Sequence, residues 1–318
     1  MKAFVGVTDR EWYSQLLASG PEHAEVNFWF PSAGTGFSAV QSGEFFVLKT
    51  HVERRFPELS NRLVGVGVFS GYARLRLSEA WRWFGTNNGV QSEADLRERI
   101  ERYRREPVDR LADPEIGCVL LQNVHFFSAE ESIASSADFS PNIVRGKTYE
   151  LDRLDREHPV IAAVTKYLNP GANPFDLGAR TLAQQQTRGK ARLVVPRVGQ
   201  QAFRALVAEA YHHRCALTGD KVRPVLEAAH ILPVSTGGEH RIDNGVLLRS
   251  DMHTLFDRGF IGFDRRHALR VSPAIRQQFG NGDWLYAREG TQIALPDRRA
   301  ERPNPDYLER HMDEIFVS

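Results

Sequence analysis

Hydrophobic positions in the first half of the chain fall into short strand-like runs, Glu44 to Lys49, Leu63 to Phe69 and Ile116 to Val124, separated by stretches with helical periodicity. One helix is predicted over Ser78 to Phe84. A second is predicted to open at Ser92, where Asp95 three residues on gives the spacing of a capping box, and Leu96, Ile100 and Tyr103 then share one face. This alternation predicts a mixed α/β unit. Apolar residues next return with helical spacing over Gln200 to Tyr211, at Phe203, Leu206, Val207 and Ala210. The stretch from Cys215 to Gly259 has a different pattern. Val225 to Ile231 is strand-like, Gly237 and Gly238 allow a tight turn, and Gly245 to Leu248 is a second extended piece. A short helix follows, which Ser250 or Asp251 can cap and which stops near Gly259.

A length of 318 residues is about twice that of a typical domain and predicts two, over residues 1–150 and 196–318, with residues 151–195 as linker. Hydrophobic residues at 42% and charged residues at 25% exclude a disordered or fibrous chain. The N-terminus lacks the apolar run of a signal peptide, and no stretch approaches the roughly 18 apolar residues of a membrane span, so a cytoplasmic protein without membrane attachment is expected. The two cysteines, Cys118 and Cys215, exclude a disulfide framework and a Cys-rich zinc knuckle; each reads as a small buried apolar residue. A net charge of +1 is not that of a general nucleic-acid coat, although residues from 151 onward carry 24 Lys plus Arg against 20 acids, and residues 1–150 carry 17 against 20. Between Gln186 and Arg204, the residues Arg188, Lys190, Arg192, Arg197 and Arg204 form a basic run without an acid. It can lie along phosphates or form a solvated linker face.

On the two-strand, one-helix frame His230 falls near the end of the first strand, Asn244 after the loop and His253 on the helix, at separations of 14 and 9 residues. His253 and Asp257 are four apart, project from one helical face and can both reach a single cation. The segments AAHILP, DNGVLL and MHTLFDRG resemble the HNH nuclease family, whose ββα-metal motif has this order and spacing; the resemblance covers roughly residues 196 to 315. It implies a DNA phosphodiesterase in which His230 takes a proton from water, His253 and a carboxylate hold a divalent ion (Mg²⁺ or Mn²⁺), and Asn244 ties the loop and orients His230. Many members carry Asp or His immediately before the first His as a metal ligand, where this chain has Ala229. Either Asp257 replaces that ligand, the favoured reading, or Glu227 on the same strand does. Arg249 and Arg258 flank the helix and, with Arg197 and Arg204, are candidates for phosphate contacts, surface salt bridges being the alternative. His212, His213, His240, His267 and His311 lack such a context and read as structural or exposed.

The N-terminal half contains VNFWFPSAGTGFSAVQSGEFFVLK and RLVGVGVFSGYARLRLSEAWRWFGTNNGV, with Trp29, Phe30, Phe37, Trp81, Trp83 and Phe84. This texture resembles the PUA superfamily (EVE, ASCH, YTH and SRA-like domains), which implies a small β-barrel holding a nucleobase in an aromatic pocket. Trp29 is the first choice for a stacking platform and Phe37 and Trp81 the next, with core packing as the competing role. The fold class expected is therefore α+β, a PUA-like barrel followed by a ββα-metal nuclease domain. The function expected is a modification-dependent restriction endonuclease that flips a modified base, a modified cytosine in the leading version, out of double-stranded DNA. Cutting both strands with one site per chain suggests a homodimer. Two alternatives stay open: a non-catalytic nucleic-acid-binding protein with a degenerate metal site, and an HNH nuclease of RNA-cutting or toxin type.

Overall fold

Apolar runs in the first half become strands of one mixed sheet. The computed structural model describes residues 1–34, 36–53, 56–104, 109, 112–169 and 199–318, and the chain divides into two compact units, Met1–Pro196 and Arg197–Ser318. The first unit contains β1 (Lys2–Thr8), β2 (Glu22–Phe30), β3 (Phe45–Thr50), β4 (Arg62–Arg76), β5 (Glu115–Phe126), β6 (Ile133–Ala134) and β7 (Gly146–Glu150). Their order is β2-β5-β4-β3-β1-β7, with the two-residue β6 added to β4. β1 and β3 run parallel and the other pairs are antiparallel.

The expected PUA-like barrel is not what forms. Closure would require β2 and β7 to hydrogen-bond, and among the described residues these two strands end the order on opposite sides, leaving the sheet open.

Helices cover the sheet. In α1 (Arg10–Ala18) the Asp9 carboxylate accepts from the Trp12 amide at 2.5 Å, satisfying one of the free donors of the first turn, and Trp12, Tyr13 and Leu16 are buried. α2 (Leu77–Phe84) continues directly from β4. α3 (Glu93–Arg104) has the expected start, with Ser92 Oγ accepting from the Asp95 amide at 3.1 Å. Leu96 and Ile100 are buried, but Tyr103 stays 45% exposed and turns its hydroxyl to Asp9 at 2.8 Å. Residues after 150 also differ from the expected linker, since α4 (Pro159–Leu168) places Val160, Ile161, Ala163 and Val164 in one core with Val5, Phe45, Val47 and Val66. An apolar helix face of this kind is stable only when covered.

The second unit begins with α5 (Gln200–Ala210), which buries Ala202, Phe203, Leu206 and Val207 and leaves Ala210 half-buried. β8 (Leu226–His230) and β9 (Gly245–Arg249) form an antiparallel hairpin in which His230 faces Gly245 and Glu227 faces Leu248. Two glycines are needed here for closeness: a Cβ on Gly245 would lie 2.5 Å from Val207 and 3.0 Å from Phe203 on α5, and one on Gly238 would lie 1.9 Å from the Leu232 carbonyl oxygen. α6 (Ser250–Asp257) follows β9 without a break. Its N-cap position is Arg249 and no side chain caps it among the described residues, so Ser250 and Asp251 stand in the first turn instead of before it. β10 (Ile261–Phe263) and β11 (Leu269–Val271) pair, and α7 (Ala274–Phe279), α8 (Asp283–Tyr286) and α9 (Pro305–Glu314) complete the unit. The His311 ring on α9 stacks on Phe256 of α6 at 3.9 Å. Among the described residues no helix is long and apolar enough to cross a membrane. Cys118 and Cys215 are buried free thiols.

Candidate active site

The hairpin and α6 bring the three expected polar residues to one place, each by a different device. Asn244 is fully buried just before β9. Its Oδ1 accepts from the Leu232 amide at 2.9 Å, and its Nδ2 donates to the carbonyls of Leu232 at 3.0 Å and Glu239 at 2.9 Å. Its own carbonyl accepts from the Ile231 amide at 2.9 Å. Asn244 therefore closes the β8–β9 loop at its base and fixes the chain direction after His230. Replacing it by alanine strands the Leu232 amide and carbonyl and removes one of the two donors to the Glu239 carbonyl, so Asn244→Ala is expected to cost on the order of 3 kcal/mol. Urea unfolding of the full chain measures this, and a loss within error of zero would refute the structural role.

His230 stacks on Phe203 with centroids 4.0 Å apart at 13°. Its Nε2 lies 3.0 Å from Nδ1 of His240. Burial, with repulsion from His240 and His253 whenever those rings are protonated, pushes its pKa down to about 4. The ring is consequently neutral near pH 7, as a proton acceptor must be.

His253 stands between two carboxylates. Glu227 Oε2 is 2.6 Å from its Nδ1, and Asp257 Oδ2 is 3.3 Å from its Nε2. Burial opposes its charge, but Asp257 and Glu227 prevail and the pKa is raised above the ordinary histidine value. A cleft of about 490 Å³ is lined by His230, His253, Asp257, Arg204, His240 and His311, with Glu227 outside that lining. His311 hydrogen-bonds the Phe256 carbonyl through Nε2 at 3.2 Å, and burial pushes its pKa down to about 4.

Among the described residues no group of three or more His, Cys, Asp or Glu side chains is gathered to hold a metal. The geometry of His253 explains this: its two carboxylates occupy different ring nitrogens and cannot meet on one ion with it. Two can. His253 and Asp257 both line the cleft, with Asp257 on the Nε2 side of the ring, and together they offer the nitrogen and oxygen donors that a divalent ion takes, while Glu227 on Nδ1 is placed to fix the ring, the arrangement by which carboxylates orient metal-binding histidines.

The arginines separate. Arg204 lines the cleft and Arg258 is exposed at the end of α6. Arg249 is committed elsewhere, with a two-pronged pair to Asp251 at 2.7 Å and a third bond to Asp220 at 2.8 Å. Arg197 lies outside the described residues, as do Arg188, Lys190 and Arg192.

In the first unit, a cavity of about 240 Å³ is lined by Trp12, Phe28, Trp29 and Tyr103 together with Asp9 and His51. Trp29 is held by its indole N–H, which donates to the Asn88 carbonyl at 2.9 Å, and it meets the Tyr103 ring at 6.1 Å. Neither Phe37 nor Trp81 is among the described residues lining this cavity. Phe37 packs against Phe4 at 5.0 Å and Phe69 at 5.3 Å, and Trp81 is half-buried on α2. Trp12, Asp9 and His51 were not singled out from the sequence, and neither was the approach of His240 to His230. Only the chain's folding brings these residues to their cavities, and no local spacing announces it.

A two-stranded hairpin followed by a helix sets His230 and His253 at one cleft, with Asn244 buried at the base of the loop between the strands. Residues 215–264 match the family model described as HNH endonuclease, a span that contains β8, β9 and α6 with His230, Asn244, His253 and Asp257. Over these residues the second unit is similar to HNH endonucleases. A comparison of the chain with curated proteins returns no match.

Proposed function

We propose that the protein is a divalent-metal-dependent DNA endonuclease that acts on DNA carrying a modified base. The observation that carries the cutting half is the single cleft shared by His230 and the His253–Asp257 pair. Cleavage of a phosphodiester needs a deprotonated water, counter-charge on the phosphorane and help for the departing oxygen. His230, neutral and held by Phe203, accepts the proton of the attacking water. Arg204 at the cleft wall supplies positive charge to the phosphate. His253 and Asp257 would hold Mg²⁺ or Mn²⁺, which supplies Lewis-acid stabilisation of the scissile phosphate when bound.

Reading of a modified base, a modified cytosine in the leading version, is supported by the aromatic cavity of the first unit. Flipping a base out of duplex DNA costs a few kcal/mol. Stacking on an aromatic plane returns roughly 1–3 kcal/mol per base, and Trp29 is the platform proposed. The proposal includes action in the cytoplasm and a homodimer on DNA, because one site severs one strand.

Incubation of the purified chain with modified and unmodified phage DNA and Mn²⁺ tests both halves. The modified DNA alone should be cut, and Trp29→Ala should lose that preference. Equal cutting of the two substrates removes modification dependence and leaves the nuclease standing; cutting of neither, with metal bound, overturns the nuclease. Light scattering of the DNA complex checks the dimer, which a monomer cutting both strands would refute.

A further inference from the structure

A histidine outside the expected triad stands inside the cleft. His240 lies on the loop between β8 and β9, with Nδ1 3.0 Å from Nε2 of His230 and the ring centroids 5.1 Å apart. Such a contact is a hydrogen bond only when one nitrogen carries the proton and the other does not. Two neutral rings can satisfy it in two ways. If Nε2 of His230 donates, its Nδ1 keeps a bare lone pair. If Nδ1 of His240 donates, His230 carries its proton on Nδ1 and has no lone pair left for water. Only the first arrangement leaves His230 able to act as a base.

His240 is well fixed for this purpose. The carbonyl of the preceding Glu239 accepts from Asn244 Nδ2 and from the Arg241 amide, both at 2.9 Å. Arg241 in turn grips Asp243 with two bonds, at 2.9 and 2.8 Å. Phe203 touches both rings, stacking on His230 at 4.0 Å and meeting His240 at 5.7 Å.

We infer that His240 is a positioning residue for cleavage: it accepts the Nε2 hydrogen of His230 and so holds that ring in the tautomer whose Nδ1 can take a proton from water. The inference rests on the reading of His230 as the base. When the O–H bond of water breaks, the proton goes to Nδ1 of His230, the hydroxide attacks phosphorus, the bond from phosphorus to the departing 3′ oxygen breaks, that oxygen takes a proton from solvent, and the new imidazolium keeps its Nε2–H bond to His240. An orienting partner of this kind both selects the tautomer and supports the charge that develops.

The test uses the full chain with ¹⁵N-labelled histidine, reading the His230 tautomer by NMR in the absence of DNA and the cleavage rate with Mn²⁺. Wild-type protein should show the Nε2–H form. His240→Ala should mix the tautomers and slow cleavage on the order of 10–100-fold, less than loss of a charged orienting partner costs. His240→Asn, whose side-chain oxygen can accept the same hydrogen bond without titrating, should restore both. A wild-type tautomer and rate in His240→Ala, or no rescue of either by His240→Asn, would overturn the inference. Since the tautomer is read without DNA, failure of His230 as the base, shown by a His230→Ala variant that still cuts, is a separate result.

Discussion

His230→Ala is expected to lower DNA cleavage by about 10²–10⁴-fold, the contribution general-base catalysis typically makes. The fold should survive, because the loss is one half-buried ring stacked on Phe203, worth about 1 kcal/mol beyond its area. DNA binding should also survive, since Arg204 and the rest of the cleft are untouched. The low pKa of His230 has two consequences that pull in opposite directions. It guarantees the neutral form near pH 7, and it makes the ring a weak base in the free protein. An anionic phosphate entering the cleft offsets the second effect, because a nearby negative charge favours the protonated ring. Single-turnover cleavage at saturating DNA, beside a gel-shift measurement of affinity, separates chemistry from binding. Cleavage at the wild-type rate would remove His230 from the mechanism.

How much of this was legible in the sequence depends on whether the information is local. The ββα frame was. The expected strands and helix match β8, β9 and α6 to within one or two residues, because Gly238 and Gly245 mark places where backbone must approach closely and because His253 and Asp257 repeat at helical spacing. Alternation and helix face favour Asp257 over Glu227 as the replacement ligand without excluding Glu227. Three-dimensional placement shows why both were credible: each carboxylate takes a different nitrogen of the same ring. His240 reads from the sequence as structural or exposed, since its position depends on a loop closed by Asn244, and no spacing rule encodes that closure. In the first unit, β1 and β3 are buried along nearly their whole length, so they lack the alternation that marks a half-exposed strand. Barrel or open sheet is decided by which edges meet, a long-range pairing that local pattern does not carry. Helix α4 hid in the expected linker although its PVIAAV run is apolar. Of the three aromatic candidates, Trp29 lines the cavity, while Phe37 went to packing against Phe4 and Phe69, a contact invisible from composition.

His253→Ala is expected to abolish Mn²⁺ binding, and the two carboxylate variants should then show which nitrogen the ion uses. With the ion on Nε2, beside Asp257 and open to the cleft, Asp257→Asn removes a ligand and should lose most of the affinity. Glu227→Gln then removes only the group that fixes the ring through Nδ1, and a loss of about 10–100-fold is expected, as for other partners that orient ligating histidines. The opposite ranking would place the ion on Nδ1, beside Glu227, which does not line the cleft, and would sink the shared cleft as the place of chemistry. Affinity should also weaken as pH falls, because a ligating imidazole must be deprotonated and Asp257 and Glu227 both favour the charged ring. Calorimetric titration of the full chain with Mn²⁺ reads all of these effects without requiring any cleavage. Binding that survives His253→Ala unchanged would mean that no ion is held between α6 and His230, and the stabilisation of the phosphate would then have to come from Arg204 and the histidines alone.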